Sequence, residues 1–114
     1  MSEPNSGKNT SHRPRKLGLM ISAHPLRANF THGLKLAEAA LHAGIEVYLY
    51  CLDEAVEGVS DPRLQALREQ GMRLFACAYG ARARGISAGE QAIFSGLGTL
   101  SDIIALTDRF VGFN

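Results

Sequence analysis

The sequence has no tryptophan, two cysteines, and a formal net charge of +1 over 114 residues. Each scarcity excludes something. Two cysteines cannot build the dense disulfide framework of a small secreted domain, so an intracellular, cytoplasmic setting is expected. A charge so near zero argues against an extended phosphate-binding surface, because nucleic-acid binders carry a basic stripe. No apolar run approaches the roughly 20 residues that cross a bilayer, so no membrane role is expected. No apolar h-region of a secretory signal stands at the N-terminus. What is there is ordinary for a globular chain: 46% of residues are hydrophobic and 20% are charged. That supports one domain with its own core.

Residues 1–15 read differently from the rest. They are rich in Ser, Asn, Pro and charge and hold no aromatic residue. Such a segment cannot bury enough apolar surface to offset its ordering entropy, so a disordered tail is expected. Lys8, Arg13, Arg15 and Lys16 are few for an arm that grips nucleic acid. The folded domain is expected over 16–114.

Within that domain, apolar runs alternate with helical patterns. Leu17–Ser22 is a short apolar run, as expected of a strand buried on both faces. His24-Pro25 breaks it. Leu26–Ala43 carries Phe30, Leu34, Ala37 and Leu41 on one helical stripe, and Gly44 suits the position after the helix. Ile45–Leu52 is a second strand, and Asp53–Asp61 reads as a loop. Pro62–Gln70 is a short helix with Asp61 as its N-cap and Pro62 in the first turn. Met72–Ala78 is a third strand. Tyr79–Ile86, with Gly80 and Gly85, reads as a loop or one irregular turn. Ala92–Phe94 is a short fourth strand, Leu97–Thr107 a helix and Arg109–Phe113 a final strand. The alternation predicts a single-domain α/β fold. Its expected form is a doubly wound, mostly parallel sheet of about five strands, with helices on both faces.

In such sheets ligands sit beyond the carboxyl ends of the strands. After the first strand comes Ala23-His24-Pro25-Leu26-Arg27, without the glycines a phosphate cradle needs. Asp53-Glu54 follows the second strand, but a phospho-receiver needs clustered carboxylates for a metal ion, and here the first strand ends without acid and the third in cysteine. Two cysteines and four histidines show no zinc-ligand spacing. What remains is a thiol at a strand end, Cys77. Two readings of it stand. Arg82, Arg84 and backbone N–H groups near Tyr79–Ala81 would favour a reactive thiolate. A packed core cysteine is the plainer alternative.

The runs KLGLMIS, HAGIEVYLYC, REQGMRLFACAYGARARGI and GLGTLSDIIALTDRFVGF resemble the DsrE/DsrF-like family of sulfur-relay proteins, over about Lys16 to Asn114. The most specific piece is a strand-end cysteine followed closely by an Arg-Gly pair, here Cys77 with Arg84-Gly85. Where many members carry Asp-Gly-Val after the second strand, this chain reads Glu57-Gly58-Val59. The resemblance implies that Cys77 accepts sulfane sulfur as a persulfide and hands it to a partner thiol. It also implies sulfur donor and acceptor proteins as partners and a homo-trimer or homo-hexamer. The transfer requires no metal or organic cofactor. The rival reading is a non-catalytic oligomeric module of the same fold that binds a small ligand or partner.

Around Cys77, a supporting set is expected from His24, Arg27, Tyr79, Gly80, Arg82, Arg84 and Gly85. His24 is either a proton shuttle or a turn residue bonded to backbone. Arg27, Arg82 and Arg84 either hold an anion or acidic partner or are solvated. Tyr79 either caps the pocket or packs. His32 and His42 read as ordinary helix residues. Cys51 is the possible second thiol. With the first strand between the second and third, the two thiols would lie about 9–10 Å apart, too far for a disulfide.

Overall fold

Five apolar runs pair side by side into one fully parallel sheet in the computed structural model, which describes residues 13–114. Most of the expected tail lies outside the described residues. Arg15 is already tied in, its carbonyl accepting from the Glu46 N–H at 2.9 Å.

The strands are β1 (Lys16–Ile21), β2 (Glu46–Cys51), β3 (Arg73–Cys77), β4 (Ile93–Ser95) and β5 (Arg109–Phe113), in the order β4-β3-β2-β1-β5. The connections run through α1 (Ala28–His42), a 3-10 turn (Asp53–Gly58), α2 (Pro62–Glu69), α3 (Ala78–Ala83) and α4 (Leu97–Leu106). Going from β1 to β4, each step moves one strand in the same direction. Right-handed crossovers therefore put α1, α2 and α3 on one face. The return from β4 to β5 runs back across the sheet and carries α4 over the other face.

Strand alternation sorts the core accordingly. Leu17, Leu19 and Ile21 of β1 share a face with Val47, Leu49 and Cys51 of β2, all of them buried. This is the α1 side: a Cβ at Gly33 of α1 would press on Ile21 and Phe113. The opposite face carries Gly18, Tyr48 and Tyr50. There a Cβ on Gly18 would meet Ile103 and Thr107 beneath α4 and Phe110 of β5. The expected α1 stripe buries Phe30, Leu34 and Ala37, joined by Gly33 and Ala40, while Leu41 is partly buried at its edge. Asp61 caps α2 as expected, its carboxylate accepting from the Arg63 N–H at 2.8 Å.

Three expectations change. The Asp53–Asp61 loop contains the 3-10 turn at Asp53–Gly58. Tyr79–Ile86 is not a loop, because α3 begins directly after β3. Its three alanines favour helix, and Gly85, at φ +68°, occupies the left-handed position after the helix end. Gly80 and Gly85 pointed to a loop because their composition outweighed that alanine content. Finally β2, not β1, lies beside β3. The 9–10 Å separation of the two thiols therefore does not hold.

Candidate functional site

Cys77 ends β3 and is itself the N-cap of α3. Helix starts leave backbone N–H groups without partners, and a side-chain acceptor at the cap usually fills one. Here the acceptor is sulfur: Sγ takes the Gly80 N–H at 3.3 Å. The bond aims a backbone donor at the sulfur. Cys77 is 6% exposed and stands at the carboxyl end of the sheet.

Gly80 is held from its other side as well. Its carbonyl accepts from Arg84 Nη1 at 3.3 Å. Arg84 Nε lies 3.6 Å from Glu57 Oε2, and Glu57 Oε1 lies 3.2 Å from His24 Nε2. His24 Nδ1 accepts from the Leu26 N–H at 3.1 Å, so the ring proton stands on Nε2 and points at Glu57. The chain His24–Glu57–Arg84–Gly80 ties the loop after β1 to the first turn of α3. The Arg84–Glu57 ion pair is partly exposed and contributes about 0–1 kcal/mol, while His24 Nε2 donates a hydrogen bond to Glu57. Their effect is positional. His24 thus bonds backbone through Nδ1 and the Glu57 carboxylate through Nε2.

The other expected residues separate. Gly85 terminates α3. Arg82 is exposed. Arg27 is exposed at the N-cap of α1 and offers no side-chain cap bond. Tyr79 is 77% exposed, so it does not cap the thiol within its own chain. His32 meets Asn29 Oδ1 at 3.2 Å, and His42 is an exposed residue of the last turn of α1. Cys51 is fully buried, and burial pushes its thiol up to about 12. It pairs in register with Ala76. Cys77, one residue on, therefore alternates onto the other face. Both cysteines are free, with the sheet between them.

Three residues at the site were not singled out from sequence. Glu57 was met as part of the Glu57-Gly58-Val59 departure, without a role. Tyr50 lies on the face shared with Cys77 and is fully buried. Its hydroxyl donates to the carbonyls of Ser95 and Gly96 at 3.0 and 3.1 Å. Ser95 pairs in register with Cys77. The only sequence signal for these two was strand alternation from β2 and β4, which requires the strand order.

Two clefts lie away from the thiol. One of about 310 Å³ lies between α1 and α2, against Leu34, Arg63 and Gln70. One of about 370 Å³ lies near the start of β1 and the end of α1, against Lys16, Leu36 and Arg109. Neither includes Cys77, which is marked by its chemistry and its strand-end placement. Among the described residues no group of three His, Cys, Asp or Glu side chains is placed to hold a metal ion. No helix described is long and apolar enough to cross a membrane.

A parallel α/β sheet with a helix-capping cysteine at the carboxyl end of a strand defines the class: a small α/β protein with a thiol at the usual ligand end of its sheet. Residues 15–113 match the DsrE/DsrF-like family, and the chain belongs to it. The fold is similar to the crystal structure of the ychN protein from E. coli, with a TM-score of 0.75 at 18% identity. The match covers 87% of this chain and 99% of that one. It is also similar to BT1422, a conserved protein of unknown function from Bacteroides thetaiotaomicron. There the TM-score is 0.69 at 13% identity, with 86% and 94% coverage. No curated protein matches.

Proposed function

We propose that the protein is a cytoplasmic sulfur carrier, with Cys77 accepting sulfane sulfur from one partner protein and delivering it to another. The observation that carries this reading is the Gly80 N–H held on Cys77 Sγ at the carboxyl end of the sheet, in a chain of the DsrE/DsrF-like family. The Cys77 thiolate attacks the outer sulfur of a donor persulfide, R–S–SH. A new S–S bond forms at Cys77 and the donor S–S bond breaks. The donor thiolate R–S⁻ leaves with the electron pair, and the proton of the outer sulfur is shared with solvent. An acceptor thiolate then repeats the attack on the outer sulfur now carried by Cys77. The sum is thiol–disulfide exchange logic with no net oxidation. Among the expected supporting residues, Gly80 and Arg84 serve Cys77 through the first turn of α3, and His24 serves it through Glu57. Arg27 and Arg82 remain available to an acidic partner, and Cys51 takes no part.

Self-association belongs to the same proposal. Leu97, 60% exposed, Ile104 and Leu106 are exposed apolar side chains of α4, and β5 is an open sheet edge. Such surfaces are covered in functional assemblies. A homo-trimer or homo-hexamer would bury them, with Tyr79 and the loop to Gly89 free to reach a neighbouring copy. Cold cyanolysis after incubation with inorganic polysulfide tests the carrier reading. One thiocyanate per chain is expected, and none from Cys77→Ser. Equal yields from the two would overturn it in favour of a non-catalytic binding module.

A further inference from the structure

We propose that the Tyr50 phenol and the Ser95 hydroxyl are the hydrogen-bond donors that hold the anionic sulfur on Cys77, as thiolate before sulfur uptake and as persulfide after it. The inference rests on the carrier reading and adds the groups that steady the charge.

Placement comes first. Cys77 and Ser95 are register partners on neighbouring parallel strands, about 4.8 Å apart, with side chains on the same face. Tyr50 reaches the same place from β2, its hydroxyl between the Ser95 and Gly96 carbonyls. Tyr50 and Ser95 thus approach, from β2 and β4, the strand end that carries Cys77, whose sulfur takes the Gly80 N–H.

The phenol stays protonated and can donate. Burial, then the charge of Cys77, push Tyr50 up to about 12, and a hydrogen bond with Cys77 adds to the rise. Its single hydrogen is divided between two carbonyls. An anionic sulfur is a stronger acceptor than either, since a bond to a charged acceptor is about twice as strong as a neutral one. The phenol hydrogen therefore turns to the sulfur when Cys77 ionises.

Ser95 supplies the independent observation. Its Oγ is buried with no hydrogen-bond partner, alone in this among the side-chain nitrogens and oxygens of the described residues. It meets hydrogen-bond geometry with no group, although the Tyr50 hydroxyl bonds the carbonyl of the same residue. A buried hydroxyl without a partner destabilises a fold, and alanine at this position would avoid that cost. Rotation about one Cα–Cβ bond redirects Oγ, and a persulfide extends the acceptor by an S–S bond of about 2.05 Å. The anion that Cys77 carries is a partner of the right charge at the right strand position.

The test is site-resolved iodoacetamide alkylation of Cys77 in the full chain at pH 7 and pH 10. The chains compared are the wild type, Tyr50→Phe, Ser95→Ala and Ser95→Thr. Losing a donor to the thiolate lowers the ionised fraction at pH 7. Alkylation there should slow about tenfold in Tyr50→Phe and about threefold in Ser95→Ala, a tenfold change being one pH unit of thiol ionisation. Ser95→Thr, which keeps the hydroxyl, should restore the wild-type rate. At pH 10 the contrast between the chains should narrow, because rising pH favours the thiolate in every chain. Equal rates at pH 7 would overturn the inference. So would slowing by the same factor at both pH values, which is the mark of altered packing. Sulfane loading of the same samples separates the two claims. A wild type that never loads overturns the carrier reading while the alkylation contrast stands or falls by itself. Normal loading with unchanged alkylation overturns this inference alone.

Discussion

Replacing Gly18 by alanine should lower the thermal midpoint, and the structure sets the size. The new Cβ would lie 2.8 Å from Phe110 Cδ1, 2.9 Å from Thr107 Oγ1 and 3.1 Å from Ile103 Cγ2. Phe110 is half-buried on the edge strand β5 and can give way. Thr107 and Ile103 cannot both do so, because the Thr107 hydroxyl donates to the Ile103 carbonyl at 2.8 Å and closes the end of α4. Overpacking of this kind costs about 1–3 kcal/mol. Relief of the glycine's entropy in the unfolded chain returns about 0.5–1 kcal/mol. The net is a loss of about 1.5 kcal/mol, or about 6–12 °C for a domain of this size. Differential scanning calorimetry at one fixed protein concentration measures it, since association would otherwise move the midpoint. Gly98→Ala in α4 is the control. A Cβ there meets nothing within 4 Å, so helix propensity should raise the midpoint by a few degrees, at about 0.5 kcal/mol. If both substitutions raised it, the packing of α4 on β1 would be refuted.

Asp61→Ala should cost about 1 kcal/mol, the usual price of a lost N-cap, read as a drop of about 4–8 °C. Its hydrogen bonds with Arg63 hold the Asp61 carboxylate below the usual range. That contribution is present at neutral pH and is lost as pH falls through the folded value, so Asp61→Asn should blunt the acid side of the stability profile. Burial raises Cys51 from 9.0 to about 12. Its contribution is full below pH 9 and is lost as pH rises toward 12, at most about 1.4 kcal/mol per pH unit. Cys51→Ala should flatten this alkaline decline, and an unchanged slope in thermal melts from pH 8 to 11 would contradict the burial. Light scattering at micromolar concentration should find an assembly, and a clean peak near 12.3 kDa would refute it.

The strands and long helices were legible because their signals are local. Leu17–Ser22 and Ile45–Leu52 are continuous apolar runs, and Asp61-Pro62 marks a helix start in two residues. The strand-end placement of Cys77 followed from the same reading. What escaped depends on strand order. That Cys51 and Cys77 sit on adjacent strands but opposite faces needs the Cys51–Ala76 register. That Tyr50 reaches across to Ser95 needs β2, β3 and β4 side by side. The helix α3 was hidden for a different reason. Its cap is a sulfur, where the usual capping signal is an oxygen, and two glycines outweighed three alanines. Glu57 was hidden because an exposed glutamate in a turn reads as solvated until His24 and Arg84 are seen on either side of it.

Site-resolved mass spectrometry after incubation with a small-molecule persulfide donor tests the central claim most directly. Cys77 should gain about 32 Da for each added sulfur, and Cys77→Ser should gain nothing. Cys51→Ser should keep most of the wild-type gain, because its thiol lies on the far face of the sheet. Equal loss from the two substitutions, or no gain at Cys77 in the wild-type chain, would contradict the account.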